Sequence, residues 1–446
     1  MPVRTRAGDN ARMTRTLPDW LDYIERIHPR SIDMGLDRIR VVAQALGLGK
    51  PGKAVITVGG TNGKGSTVAF IESIARAAGW KVGAYTSPHL LAYNERVRID
   101  GADASDSALI DAFEAIEAAR GDTQLTYFEY GTLAALWLFE RAKLDLAILE
   151  VGLGGRLDAT NLVDADVAVI TTVDLDHQDY LGEDREQIGA EKVGIARAWK
   201  PLVLGDNDPP SSVLGHAYRI GAPTWRIAND FFFEPLPSSL DANGNTLPAR
   251  WRWREIGKRL ELPVPQLAAP VQLRNAAVAV AALRALKKRP RPLPQGAYSD
   301  GIASAQVGGR LQRFERDGVD IVVDVGHNPQ AARALADWLR AAPASGRVIA
   351  VYAALSDKDV AGVAQALAPV VDEWHLAGLP DAGPRGGDAE GLATRLAGTA
   401  ASDATRHATV AKALDAVRAG AQPGDRVLVF GSFHTAASAL ASLDRD

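Results

Sequence analysis

A glycine-rich run between two patterned segments carries the first chemistry in this sequence. Gly59–Thr67 reads GGTNGKGST, with the apolar AVITV (54–58) before it and VAFIESIARAAGW behind it. Glycines let backbone N–H groups close around an anion, and a helix N-terminus behind them adds a favourable dipole, so the natural ligand is phosphate. Lys64 supplies a mobile cation, and Ser66 or Thr67 a hydroxyl that reaches toward Mg²⁺. The common spacing GxxxxGK[ST] is not met, because position 58 is Val and Gly65 stands between Lys64 and Ser66. A flexible turn is the bland alternative, and the flanking elements argue against it.

Other chemically able residues follow apolar runs further on. Glu150 closes LDLAILE and precedes VGLGGRLDATN. Ligands of open α/β sheets bind beyond the carboxyl ends of strands, so an acid there faces the phosphate loop as a Mg²⁺ ligand. His177, in VDLDHQDYLG, also follows a strand end, but a lone histidine reads first as a satisfied turn or core residue. Ser87, in TSPHL, reads equally well as a turn or cap. Lys192, in EQIGAEKVGIAR, reads by itself as a surface lysine on a helix. Only burial near a metal would free its amine to add CO₂ as a carbamate. Tyr127 and Phe128 suit stacking on a flat heterocycle, or ordinary core packing.

The elements that must position these residues alternate. Strands are predicted at Ala54–Val58, Lys81–Tyr85, Leu144–Val151 and Asp166–Val173, with helical patterns at Ala108–Arg120 and Tyr130–Lys143. After the phosphate loop, apolar positions 70, 71, 74, 75 and 78 share one helical face, which Gly79 ends. Such alternation predicts an α/β fold, a mostly parallel sheet covered on both faces. Residues 206–265, with PPSSVLG, FFFEPLPSSLDANGN and WRWREIGKRL, break the rhythm and predict short irregular strands and loops. Helix returns at 275–288, and KKRPRPLPQG (287–296) reads as a linker. The expected division is 1–294 and 295–446. VDIVVDVG, RVIAVYAAL, DEWHLAGL and RVLVFGSF then predict a smaller, Rossmann-like C-terminal α/β domain, with the site in the cleft between the two.

The chain has 446 residues and 50 basic against 54 acidic side chains, a net charge of −4, which argues against a nucleic-acid-coating surface. Without a single cysteine, disulfides, thiolate metal sites and a cysteine nucleophile are excluded. No apolar run approaches the ~18 residues of a membrane span. The arginine-bearing start, MPVRTRAGDNARMTRTLPDW, reads as a ragged tail, and the expected location is the cytoplasm.

GTNGKGST, SPHLLAYNERVRI, YFEYGTLAAL, EVGLGGRLDATN, DLDHQDYLG, GAEKVGIAR, GGRLQ, DVGHNPQAA and GSFHTA occur in this order. By these segments the chain resembles the Mur-ligase superfamily, and within it the folylpolyglutamate synthase/dihydrofolate synthase family, its bifunctional bacterial members above all. The resemblance runs over roughly residues 18–440 and is weakest in 206–265. It implies ATP-dependent addition of L-glutamate to dihydropteroate and to reduced folates, with Mg²⁺ at two positions and a monovalent cation such as K⁺ left open. It implies phosphate contacts from Thr61, Asn62, Gly63, Lys64, Gly65 and Ser66, and Mg²⁺ ligands Ser87, Glu150 and His177. Nucleotide contacts map to Asn275, Arg310 and Asp324, with His327 a weaker candidate, and Lys64, Lys192, His177 and Arg310 are the catalytic set. A carbamylated lysine (N6-carboxylysine) maps to Lys192. The pterin side maps to Asp33, to Thr126, Tyr127, Phe128 and Glu129, and to Leu157, Asp158 and Ala159. Ser66 stands where many relatives have Thr, which keeps the hydroxyl, and Gly326 where Ala is common, which loosens the turn. The expected partners are small molecules and neither nucleic acid nor membrane, and the expected state is a monomer. A cell-wall ligase would need more chain ahead of the first strand, and a P-loop switch without ligase chemistry would not carry DVGHNP in a second domain.

Overall fold

The computed structural model describes residues 15–30, 32–237, 248–267 and 269–444. Of the expected N-terminal tail, residues 1–14 lie outside the described residues, and the rest is ordered from Thr16. Its side chain accepts from Asp19 N–H, Asp19 returns the bond to Thr16 N–H at 2.9 Å, and the helix Leu17–Arg26 follows.

The first sheet has eight strands: β1 Gly52–Gly59, β2 Val82–Tyr85, β3 Val97–Ile99, β4 Ala102–Asp103, β5 Leu144–Glu150, β6 Val167–Ile170, β7 Leu202–Leu204 and β8 Thr224–Arg226. They lie in the order β4-β3-β2-β5-β1-β6-β7-β8, parallel except for the β2–β3 and β3–β4 pairings. β1 is central, with Val58 opposite Glu150 and Gly59 opposite Ile170. The loops after β1, β5 and β6 therefore open side by side at one edge. Helices cover both faces. Lys64–Ala77 and Val271–Ala285 pack on one, and Asp106–Arg120 with Tyr127–Ala142 on the other.

Segment 206–265 is more regular than the sequence suggests. Ser211–Arg219 is a helix, and β8 joins the main sheet. β9 Phe231–Pro235, β10 Arg250–Glu255 and β11 Lys258–Pro263 form an antiparallel sheet. Its aromatic residues extend the first core. Trp251 and Trp253 are fully buried, Trp253 stacks on Phe231, and its indole N–H donates to the Ala277 carbonyl at 3.1 Å. Alternation of apolar and charged residues along WRWRE is the period-2 signal of a half-covered sheet.

The proline-rich stretch leads into the helix Gln295–Ser304, which packs on Lys64–Ala77, a Cβ at Gly301 falling 2.4 Å from Ile74 Cα. Tyr298, Ile302 and Ala305 belong to the first core. By packing, the helix Gln295–Ser304 sits with the first core. The second sheet comprises β12 Gln312–Arg316, β13 Val319–Val323, β14 Val348–Tyr352, β15 Glu373–Ala377, β16 Thr405–His407 and β17 Arg426–Phe430, in the order β12-β13-β17-β14-β15-β16. Only β12 is antiparallel to its neighbour.

Candidate active site in the interdomain cleft

The glycine-rich loop follows β1 directly. Gly60 has φ +140° and Gly63, which precedes the helix Lys64–Ala77, φ +85°. A Cβ would lie 1.9 Å from Thr171 Oγ1 at the first and 2.6 Å from Asn275 Oδ1 at the second, so both need glycine for room as well as conformation. The loop is strapped to the segment after β6. Thr61 N–H donates to the Thr172 carbonyl (2.8 Å), Asn62 N–H to Thr172 Oγ1 (3.1 Å), and Thr171 Oγ1 to the Asn62 carbonyl (2.6 Å). Lys64 bends over the loop and donates from Nζ to the carbonyls of Gly60 (3.0 Å) and Thr61 (3.2 Å). Ser66 and Thr67 are buried, and among the described residues Thr67 Oγ1 has no hydrogen-bond partner.

Two groups from distant parts of the chain meet this loop at Gly65. A Cβ there would lie 3.7 Å from Glu150 Oε2 and 3.8 Å from Arg310 Nη2. Burial pushes the Glu150 carboxyl up from its ordinary range, against the charges of Lys64 and Arg310, and burial pulls the Lys64 ammonium down. Ser87 N–H approaches Glu150 Oε2 at 3.4 Å. His177 stands at the start of the turn Gln178–Leu181 with φ +53°. Burial takes its pKa down to about 4, which leaves a neutral ring with a lone pair at neutral pH. Among the described residues no three His, Asp or Glu side chains form a ready metal cage. A buried carboxylate, a serine and a neutral imidazole suit a hard divalent ion that keeps water and phosphate ligands.

Lys192 ends the helix Arg185–Lys192 and is 4% exposed, so it is not the surface lysine its sequence context suggests. Burial, then the charge of Lys64, brings its pKa down to about 7. On the second body, Asp324 accepts the N–H groups of Leu311 (2.9 Å) and Gly326 (2.7 Å) and so fixes the turn next to Arg310. A Cβ at 326 would fall 2.9 Å from Asp324 Oδ1, so this glycine makes room for the carboxylate rather than only loosening the turn. Asn275 bonds Gln272 at 2.9 Å beside Gly63. His327 turns to Asp176, 3.5 Å from its Oδ2.

Sequence reasoning missed the seam that joins the bodies. Asn62 pairs with Asn328 through both amides (3.1 and 3.2 Å) and Thr172 Oγ1 donates to Gln330 (3.3 Å). Asp176 Oδ1 accepts from Lys358 at 2.7 Å, its Oδ2 accepts from Asn328 at 3.3 Å, and Arg333 reaches Asp174 at 3.1 Å. Asp176 stood beside His177, and Asn328 and Gln330 within DVGHNPQAA. Only their polarity within those segments hinted at this use, and Lys358 lay outside every segment singled out.

The Mur ligase middle domain matches residues 58–229, and the Mur ligase glutamate ligase domain 309–433. The dihydrofolate synthase/folylpolyglutamate synthase of Escherichia coli (strain K12) is 47% identical over 429 residues, 96% of this chain and 96% of that one. The chain belongs to that family. Two solved structures of the family share the whole fold. E. coli FolC in complex with DHPP and ADP is 46% identical with a TM-score of 0.88, covering 97% of this chain and 98% of that one. The bifunctional enzyme from Yersinia pestis, complexed with AMPPNP and Mn ion, is 45% identical with a TM-score of 0.86, covering 97% and 98%.

The segments that the family resemblance assigns to the pterin side are heavily engaged with one another. Thr126 and Glu129 cap the helix Tyr127–Ala142 reciprocally, with Glu129 Oε2 accepting from Thr126 N–H (2.8 Å) and Oγ1 (2.9 Å). Arg38 spans Asp33 (2.6 Å) and Glu129 (3.2 Å). Asp158 ties its own loop, accepting from Leu153 N–H (2.8 Å) and from Thr160 Oγ1 (2.6 Å), between Leu157 and the buried Ala159. Phe128 lies against Gly152, where a Cβ would sit 2.5 Å from its Cζ. Tyr127 lines a recess of about 280 Å³ with Glu25, His28 and Arg30.

Proposed function

We propose that this cleft joins an activated carboxylate to the amine of L-glutamate, as a bifunctional dihydrofolate synthase/folylpolyglutamate synthase. ATP transfers its γ-phosphoryl group to the carboxylate of dihydropteroate, or to the γ-carboxylate of a reduced folate, leaving ADP. Attack of the glutamate amine on that acyl phosphate forms the amide and expels phosphate; a divalent metal would offset the phosphate charge. The convergence of Glu150 and Arg310 on Gly65 carries this reading, because it puts a candidate metal ligand and a second-body cation at one phosphate-binding helix N-terminus. The loop 61–66 and Asn275 hold the nucleotide, and Lys64 and Arg310 follow negative charge onto the transferring group. Ser87, Glu150 and His177 hold the metal. Arg310 and Asp324 belong to the second body, so the seam at Asn62 and Asp176 completes the site and keeps water from the activated carboxyl.

Lys192 enters this scheme as its carbamate. A plain ammonium there would oppose the metal, whereas a pKa near 7 leaves enough free amine to take up CO₂ at neutral pH. The carbamate returns a negative charge at the end of a long side chain. Asp33, Tyr127 and Phe128 border the pterin, and the protein acts as a monomer in the cytoplasm. The division of labour is 1–294 for nucleotide and pterin and 295–446 for Arg310 and Asp324, with the helix Gln295–Ser304 packed on the first part. One assay tests the whole: purified protein with ATP, Mg²⁺, L-glutamate and either dihydropteroate or tetrahydrofolate, products resolved by mass. Glutamate should be added to both. Addition to tetrahydrofolate alone reduces the protein to a monofunctional synthase, and ATP hydrolysis without either product overturns the ligase reading.

A further inference from the structure

Of the buried lysine and arginine side chains among the described residues, Lys358 pairs with Asp176 (2.7 Å) and Arg426 with Asp320 (2.7 Å). Lys192 and Arg96 form no ion pair. A buried guanidinium without a carboxylate is costly, and the fold keeps one. Arg96 ends the turn Tyr93–Arg96 and is 9% exposed. Its Nε donates to His89 Nδ1 at 2.9 Å, and its guanidinium carbon lies 5.3 Å and 5.5 Å from the ring centres of Tyr93 and Tyr127. Among the described residues no carboxylate pairs with it. The adjacent Glu95 carboxylate is taken by the N–H groups of Leu90, Leu91 and Ala92, each at 2.7 Å. Among the described residues its two Nη groups make no hydrogen bond.

Its position is specific. The Arg96 carbonyl accepts from Thr86 N–H at 2.9 Å, and the next residue, Ser87, approaches Glu150. The side chain lies against Tyr127. Arg96 thus stands between Ser87, beside Glu150 on the proposed metal side, and Tyr127 on the proposed pterin side. Lys64 is occupied by the carbonyls of Gly60 and Thr61, Arg310 stands beside Gly65 with Glu150, and Arg38 is taken by Asp33 and Glu129.

We propose that Arg96 receives the α-carboxylate of the terminal glutamate when a folate is the acceptor, an inference that rests on the ligase reading above. Dihydropteroate brings one carboxylate into the cleft, and that one reacts. A folate brings two on its last glutamate. The γ-carboxylate reacts and the α-carboxylate must be buried unreacted, which calls for a cation with a free fork of N–H donors. Arg96 supplies it, and so distinguishes the extension of folates from the first addition to dihydropteroate.

The test compares acceptors in one preparation, at saturating ATP and L-glutamate. Arg96→Gln should raise KM for tetrahydrofolate about 10–100-fold more than KM for dihydropteroate, as loss of a charge-assisted pair does. Arg96→Lys should recover part of that difference. Wild-type protein should bind a tetrahydrofolate whose α-carboxylate is an amide as weakly as Arg96→Gln binds tetrahydrofolate, and Arg96→Gln should lose nothing further with it. Equal KM increases for both acceptors would overturn the proposal, as would a wild type that handles the α-amide as well as the acid. The α-amide comparison on the wild type stands even if Arg96→Gln fails to fold. A wild type inactive toward both acceptors would sink the ligase reading rather than this assignment.

Discussion

The two ends of the first sheet bury the same kinds of charged residue and treat them in opposite ways. At the end where β5 and β6 begin, Asp145 meets Lys53 (2.7 Å), Arg291 (2.7 Å) and Lys81 N–H (3.0 Å), and Asp166 meets Lys50 (2.6 Å), Lys200 (3.0 Å) and Val55 N–H (3.0 Å). Hydrogen bonds and these cations outweigh burial and hold both carboxyls below their ordinary range. A recess of about 700 Å³ opens there, and its Lys50, Asp164, Asp166, Arg197 and Lys200 satisfy one another. At the other end, burial raises Glu150 and Asp158 and lowers Lys64 and Lys192. Charges at the first end stabilise the fold. At the second, Glu150, Asp158, Lys64 and Lys192 are instead held away from their ordinary ranges by burial, the pattern of a functional site.

The comparison breaks most easily at Lys64. Lys64→Ala should lower kcat by about 10²–10³-fold, or ~3–4 kcal/mol, with the melting temperature little changed. Steady-state kinetics with thermal melting checks it, and near-normal kcat would remove Lys64 from the mechanism.

Lys192 should show the sign of the contrast. Lys192→Ala should lose activity on the order of 10²-fold and be rescued in part by a small carboxylic acid. Lys192→Met should be inactive yet melt higher than unmodified, CO₂-depleted wild type, because a buried unpaired cation is replaced by an apolar chain of similar length. Below pH 7 the ammonium dominates and resists CO₂, so carbamate-dependent activity should fall as pH drops through about 7. Bicarbonate should restore depleted enzyme best above that pH. Activity indifferent to CO₂ at every pH would refute the carbamate.

At the opposite end the sign should reverse. Asp145→Asn should lower stability by about 1–3 kcal/mol, since the amide removes the charge that answers Lys53 and Arg291 and leaves one acceptor oxygen where the carboxylate has two, while kcat stays within about twofold. Denaturant titration with the coupled assay reads both, and a kcat loss matching that of Lys64→Ala would erase the distinction. The smallest effect should come from Lys50→Ala, roughly 0.2–1 kcal/mol and weaker at high salt, because its ammonium is half exposed. A loss as large as that of Asp145→Asn would mean the outer pairs are not merely rim charges.

Local patterns in the sequence determined the strand–turn–helix units and their order, and so which residues stand at strand ends. GGTNGKGST between AVITV and a helical period, or Glu150 closing LDLAILE, needs no distant partner to be read. Segment 206–265 is more regular than its residues suggest because a three-stranded sheet is set by pairing across gaps, and its tryptophans find their use only against the helix Val271–Ala285. A proline-rich run such as 287–296 likewise marks where the chain is irregular, not which core the next helix joins. What tertiary structure alone decided is electrostatic. Lys192 looks like any helix lysine, and Asp176, Lys358 and Arg96 like surface charges, until packing removes their water and leaves some paired and others not. Periodicity is written between neighbours in the chain. Desolvation depends on everything folded around a residue, and that is settled only when the two bodies close.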